Sequence, residues 1–305
     1  MYQAVESYRA FAGLPAALVA EDEARRYVIE TNVALRTPDR ATVCAVVVRP
    51  RRTRERLPAL LQFTIYADSV TWAREALLAA ANGYVGITAH TRGKACSPDV
   101  TEPYAHDGVD AAAVIDWIAA QPWSDGRVGM YGGSYSGFTA WAVAKHAPKA
   151  LKAIMVGAPV GPGIDVPMEG NVFLNFLYPW PFYTTNNRWL DNATYNDNGR
   201  WQRLNREWYR SGRPYRELEE IDGTPNPIFA QWLAHPALDA YWDSTIPQAR
   251  SMRASPFRCS RRPATSLGDQ GPRFTISCST TGTIPAPTTI CSSGRTIIPR
   301  RSGAS

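Results

Sequence analysis

The chain has 305 residues, of which 45% are hydrophobic, 11% aromatic and 20% charged, a balance that excludes a disordered or collagen-like chain and allows a large buried core. Its net charge of +6 is unevenly divided: residues 250–305 hold nine Arg and one acidic residue, Asp269, which leaves residues 1–249 slightly acidic. A basic stripe for nucleic acid or an acidic membrane belongs on a folded face rather than in a Ser/Thr/Pro/Arg-rich tail, so neither partner is expected.

In chain order, the N-terminus comes first. Met1 to Leu18 lacks a basic start followed by an apolar core, and Glu6 interrupts it, so no secretory signal is read and a cytoplasmic location is expected. Strands are expected at Arg26–Leu35, Ala41–Val48, Leu60–Tyr66, Tyr84–Ala89, Val128–Tyr131 and Lys152–Val156, all rich in Val, Ile, Tyr and Thr. Helical spacing separates them at Ser69–Ala81, Val109–Ala120 and Gly137–Ala147. Strands alternating with helices imply a mostly parallel sheet covered on both faces, with the first two strands added as an antiparallel hairpin around Thr37-Pro38-Asp39.

From Val160 to Pro247 the composition shifts to Trp, Tyr, Phe, Asn and Pro, with helical stretches at Trp201–Tyr209 and Ile228–Leu233. This reads as a helical cap inserted into the α/β unit. The division expected is 1–159 for the N-terminal part of the α/β domain, 160–248 for the cap and 249–305 for an irregular or disordered tail. The cap aromatics Trp180, Phe182, Tyr183, Trp189, Trp232, Tyr241 and Trp242 could line a substrate pocket, but packing is the simpler role. Five cysteines, without paired spacing, argue against a disulfide framework or a zinc site.

The sharpest chemical signal is Val128-Gly129-Met130-Tyr131-Gly132-Gly133-Ser134-Tyr135-Ser136-Gly137, directly ahead of a helical run. A serine on a tight strand-to-helix turn is held with its oxygen exposed, and small neighbours let the backbone turn without a clash. The helix start behind it offers free N–H groups and a positive dipole end to the negative charge that acyl transfer generates. A phosphate loop is disfavoured because neither a following Lys-Ser/Thr pair nor Gly-x-Gly-x-x-Gly is present.

Together with Tyr84-Val85-Gly86, Thr91-Arg92-Gly93, Asp107-Gly108-Val109-Asp110, Trp117-Ile118-Ala119-Ala120-Gln121-Pro122-Trp123-Ser124 and His235-Pro236-Ala237-Leu238-Asp239-Ala240-Tyr241-Trp242, this elbow resembles the cocaine esterase and X-prolyl dipeptidyl-peptidase family of serine hydrolases. α-Amino-acid ester hydrolases and glutaryl acylases belong to it as well. The resemblance runs from about Val28 to Pro247. It implies an α/β-hydrolase fold with Ser134 as nucleophile. It also implies an oxyanion hole made by the backbone N–H of Tyr135 and the hydroxyl of Tyr66 in Thr64-Ile65-Tyr66-Ala67-Asp68. The implied chemistry cleaves ester or amide bonds of small molecules or peptides through an acyl-enzyme and needs no metal or organic cofactor. No feature selects among substrates; Glu169, Glu219, Glu220 and Asp222 could meet a substrate ammonium, with solvated surface as the simpler reading. Oligomeric state has no signal in the sequence.

A serine needs a base, and the base an orienting carboxylate. The four histidines, His90, His106, His146 and His235, all precede the place where the resemblance puts the triad histidine, and each reads as structural. Asp269, in Asp269-Gln270, is the one in-frame candidate for the triad acid. The stretch after Arg250 contains no Tyr, Trp, His or Lys, and the Gly-Pro-Tyr-Asp-His motif of relatives is absent. A slip of the coding frame near Ser251 accounts for this: read one frame over, Ser293 to Ile298 permits Gly-Pro-Tyr-Asp-His. The C-terminal part of the fold is therefore expected to be missing or frame-shifted, and the alternative to an active hydrolase is a catalytically defective relative. The gene's own codons check the idea, since a codon set unable to encode those residues in the shifted frame excludes it.

Overall fold

The computed structural model describes residues 26–246 in full and the strand backbone at 258–263, 274–279, 291–292 and 295–296. Strands β1 (Tyr27–Arg36) and β2 (Thr42–Pro50) form the expected antiparallel hairpin, closed by Thr37 N–H to Ala41 O at 3.0 Å and by the Thr37 hydroxyl on Asp39 at 2.5 Å. There follow β3 (Leu57–Thr64), α1 (Arg74–Ala81), β4 (Val85–His90), α2 (Asp107–Ala119), β5 (Ser124–Ser134), α3 (Tyr135–Ala144) and β6 (Leu151–Pro159). Helix α1 starts five residues later than its spacing suggests. The Asp68 carboxylate accepts from the Val70 and Thr71 N–H groups at 2.6 and 3.1 Å and holds that stretch in a turn.

The sheet order is β1-β2-β4-β3-β5-β6, continued by β10 (Phe274–Ser279) and β9 (Arg258–Pro263). Strands β4, β3, β5 and β6 are mutually parallel, as connections through helices require. Every residue of β4 is buried, as is β2 from Thr42 to Val48, the pattern of strands covered on both faces. Helices α2 and α3 cover one face, where Val114, Ile115, Ile118, Ala140 and Val143 pack on Val47, Leu61, Phe63, Ile87 and Met130. Helix α1 covers the other through Ala73, Ala76, Leu77 and Ala80 against Val46 and Val48. It lies so close that a Cβ on Gly86 would stand 1.9 Å from the Ala76 carbonyl oxygen, which is why β4 carries glycine there.

Beyond β6 the chain forms a two-stranded ribbon, β7 (Met168–Glu169) with β8 (Val172–Phe173), and then short helices: α4 (Trp180–Thr185), α5 (Asn192–Tyr195), α6 (Asn198–Ser211), α7 (Leu218–Asp222), α8 (Pro227–Leu233) and α9 (Ala240–Asp243). Local capping defines most of them. Asp191, Asp197, Asn226 and Asp239 each accept from a first-turn N–H of the helix that follows. Their apolar faces meet in two clusters, one of Tyr178, Phe182, Trp201, Leu204 and Phe229, the other of Trp180, Trp232 and Trp242 with Tyr135 and Phe138 of the sheet unit.

Two sequence expectations change. Four stretches of residues 249–305 are strands, and β10 pairs antiparallel with β6, Thr275 opposite Gly157 and Ser279 opposite Ala153. The outer edge of β6 offers unpaired N–H and C=O groups, and Phe-Thr-Ile-Ser-Cys-Ser has the alternation to pair with them. The cysteine argument also fails: Cys44 on β2 and Cys96 in the loop after β4 form a disulfide with Cα atoms 5.7 Å apart. Cys44 lies opposite His90 in the ladder, and the loop doubles back from there, a proximity that residue spacing does not show. Among the described residues no helix is long and apolar enough to cross a membrane.

Candidate active site

Ser134 closes β5 with φ +53° and ψ −122°, a left-handed conformation that a non-glycine residue adopts only where the surroundings impose it. Tyr135 then starts α3. The turn is tight because Gly132 lets it be: a Cβ there would stand 2.4 Å from Cβ of Ser136. Ser134 is exposed at the end of the sheet, and its carbonyl accepts from the Val160 N–H at 3.3 Å.

Tyr66 stands two residues beyond the end of β3, the strand next to β5, with its N–H on the Thr64 hydroxyl at 3.1 Å. Its phenol lies close to Ser134, and the Trp180 indole N–H donates to the phenol oxygen at 3.3 Å. Burial raises the Tyr66 hydroxyl above the usual phenol range, and the Trp180 hydrogen bond and the neighbouring Ser134 oppose the shift without cancelling it. The group is therefore a neutral donor at neutral pH. An indole N–H only donates, so it occupies a lone pair of Tyr66 and leaves the phenol proton free for Ser134 or an oxyanion beside it.

Tyr135 is 1% exposed. Its hydroxyl donates to Asp107 at 2.8 Å and accepts from the Tyr104 N–H at 3.0 Å. Asp107 also accepts from the Thr91 hydroxyl at 2.6 Å, and burial pushes its carboxyl up to about 6. Arg92, next in the Thr91-Arg92-Gly93 motif, grips the buried Asp110 through two hydrogen bonds of 2.6 and 2.8 Å. It reaches Asp39 at 2.8 Å as well, and this hydrogen bond holds the Asp39 carboxyl well below the usual range. Lys94 is fully buried and donates to the carbonyls of Thr184 and Asn187 at 2.7 and 2.5 Å, tying the loop after β4 to the helical segment.

All four histidines lie among the described residues, and no hydrogen bond joins any of them to Ser134. His90 is 2% exposed on β4, its Nδ1 has no hydrogen-bond partner, and burial pulls its pKa down to about 4, so it is neutral at pH 7. His106 pairs with Glu102 at 3.0 Å, and His235 pairs with Asp239 at 2.6 Å while stacking on Tyr241. His146 follows α3, where partial burial lowers its pKa. Asp269 lies outside the described residues.

Tyr66 follows β3, Ser134 ends the neighbouring β5, and Tyr135 opens α3 directly after it. The sequence did not disclose the groups that hold them, Trp180 behind Tyr66 and Asp107 behind Tyr135. The available signal was the Asp107-Gly108-Val109-Asp110 motif, whose two carboxylates prove to be buried partners of separate side chains. Among the aromatics of the helical segment after β6, Trp180, Phe182, Trp232 and Trp242 are buried in packing, whereas Trp189 is 37% exposed. Asp222 and Glu220 are taken by Arg200 and Arg213. No group of three or more His, Cys, Asp or Glu that could hold a metal ion occurs among the described residues.

Comparison with known proteins agrees with this fold. The chain is 32% identical over 133 residues to the cocaine esterase of Rhodococcus sp. (strain MB1 Bresler), an overlap of 42% of this chain and 23% of that enzyme. In structure it is similar to an α-amino acid ester hydrolase, with a TM-score of 0.56 and 18% identity over 75% of this chain and 41% of the other. A CocE/NonD family hydrolase from Staphylococcus aureus gives 0.53 and 18% over 74% and 39%. These likenesses show the α/β-hydrolase fold, and the chain spans less than half the length of each of these relatives. A family model described as X-Pro dipeptidyl-peptidase (S15 family) matches residues 39–265, past Pro247 and through β9. With well over half of its residues inside that match, the chain belongs to the X-Pro dipeptidyl-peptidase (S15) family of hydrolases.

Proposed function

We propose that the chain is a serine hydrolase of ester or amide bonds, acting on small-molecule or peptide substrates through an acyl-enzyme on Ser134, in the manner of an X-prolyl dipeptidyl-peptidase. The supporting observation is the left-handed Ser134 at the end of β5, on a tight turn into α3 with the Tyr66 phenol close by. In this reading the Ser134 oxygen attacks the carbonyl and loses its proton to a base. The oxyanion is held by the Tyr66 hydroxyl and the Tyr135 N–H, the leaving group departs protonated, and water then releases the acyl group. The helices between residues 160 and 246 serve as a cap over the site, with Trp180 as their contact to the oxyanion donor.

A second reading has its own observation: no hydrogen bond joins Ser134 to any of the four histidines, and His106 and His235 are paired with Glu102 and Asp239 instead. A serine with its oxyanion donors but without its base describes a catalytically defective relative. Hydrolysis of p-nitrophenyl acetate by the purified chain and by Ser134→Ala, with mass-spectrometric detection of a fluorophosphonate label on Ser134, separates the two. Activity and label that vanish in Ser134→Ala establish the hydrolase. Equal rates and an unlabelled serine establish the defective relative.

A further inference from the structure

The Tyr135 side chain carries more buried polar structure than a core aromatic needs. Asp107 opens α2 at 0% exposure, where a carboxylate is expensive to keep unless its oxygens are bonded. Both oxygens are in use, one by the Thr91 hydroxyl at 2.6 Å and the other by the Tyr135 hydroxyl at 2.8 Å. The sense of that second bond follows from Tyr104, whose N–H donates to the same phenol oxygen at 3.0 Å and so leaves the single phenol proton for Asp107. The ring between is wedged against Tyr104, Phe138 and Trp180, at centroid distances of 4.9, 5.4 and 5.8 Å.

Tyr135 is also the first residue of α3, and its N–H leaves the elbow beside Ser134. The peptide plane that carries this N–H has a strained residue on one side and one long hydrogen bond, from the Val160 N–H to its carbonyl at 3.3 Å, so its direction depends also on how firmly the Tyr135 side is fixed. We propose that Asp107 is a positioning residue for the oxyanion donor: by binding the tip of the Tyr135 side chain, it sets the direction in which the Tyr135 N–H points. The inference rests on the reading of Ser134 as nucleophile and adds to it a group with no contact to the reacting atoms. It also gives the Asp-Gly-Val-Asp motif a division of labour, in which Asp107 serves the elbow and Asp110 serves Arg92.

The test uses the full chain with Tyr135→Phe, Asp107→Leu, Asp107→Asn and the Asp107→Leu/Tyr135→Phe double variant. Two readouts are taken, the 1H–15N resonance of the Tyr135 amide and the kcat and KM for p-nitrophenyl acetate. Tyr135→Phe, which removes one oxygen atom, guards against Asp107→Leu failing to fold. The expected result is a displaced Tyr135 amide resonance in Tyr135→Phe and Asp107→Leu, with kcat down tenfold or more and KM within twofold, since loss of an oxyanion donor costs about 10²–10³ in rate. Asp107→Asn presents an oxygen to Tyr135 and an amide N–H to Thr91, so it restores both readouts. The double variant is no worse than the poorer single variant. An unmoved amide in Tyr135→Phe, or effects that multiply in the double variant, overturns the proposal. If Ser134→Ala hydrolyses the ester as fast as the parent chain, the hydrolase reading fails, and the amide resonance alone still decides whether Asp107 sets the donor's direction.

Discussion

Strands β4 and β6 lie on opposite sides of the β3–β5 pair that carries Tyr66 and Ser134, and they are differently built. Every residue of β4 is buried, its glycine is pressed against α1, and the loop after it supplies Thr91, Arg92 and Lys94 to bonds with distant elements. On β6, Lys152, Ala153 and Met155 are exposed, Met155 at 54%, and the contribution to the elbow is the Val160 N–H just past its end. The Tyr135 side of the proposed oxyanion hole is therefore held from the β4 side, through Asp107 and the loop that binds it, while Tyr66 meets Trp180 of the helical segment. The rigidity of a site can thus come from one flank of its sheet, and substitutions on the two flanks should differ in cost accordingly.

The largest expected effect is that of Arg92→Met. It strands the buried Asp110 without its cation, and breaking such a pair costs about 3–5 kcal/mol, read as a lower urea midpoint at unchanged slope. A midpoint within error of the parent would show that the β4 side is not held by its ion pairs. Gly86→Val comes next, because a Cβ there meets the α1 backbone. Overpacking against a carbonyl costs about 3 kcal/mol, and thermal unfolding should begin several degrees lower. At the other extreme, Met155→Gln on β6 should leave stability within about 0.5 kcal/mol, as at an ordinary surface position. A loss of 2 kcal/mol at Met155 would erase the contrast between the two strands.

Between these extremes lies a pH effect in which two buried groups of the β4 side oppose each other. His90 titrates at about 4 in the folded chain against 6.5 unfolded, so the unfolded state binds more protons and stability rises with pH between those values. Asp107 titrates at about 6 against 3.8, raised chiefly by burial and in smaller part by Asp110, so here the folded state binds more protons and stability falls over nearly the same window. The parent chain should show a shallow net slope from pH 4 to 6. Asp107→Asn should leave a clear rise with pH and His90→Gln a clear fall, in urea titrations at fixed ionic strength. Equal slopes in all three would mean that neither group titrates in this window.

Much of this arrangement was legible in the residues themselves. The β1–β2 hairpin follows from alternation around Thr37-Pro38-Asp39, and the Ser134 elbow from a run of small residues between a strand and a helix. Both are local patterns, and both appear where the sequence places them. Tyr66 was found through its place in a family motif. What escaped was non-local: Trp180 lies 114 residues from the phenol it contacts, and Tyr135 lies 28 residues from Asp107. Such pairs depend on how helices dock, and docking leaves no periodicity in the chain. The same holds for β10, whose short alternating run means little until the open edge of β6 is there to receive it.

The disulfide between Cys44 and Cys96 has a consequence for how the chain comes apart. It closes a covalent ring around β3, α1 and β4, and the ring includes the exposed loop with Arg51, Arg52, Arg54 and Arg56. Trypsin cutting in that loop would open the ring without separating its ends. The nicked protein should run as one species on a non-reducing gel and as two fragments once a thiol is added. The bond would then be counted directly, by the protein that holds together after its backbone is cut.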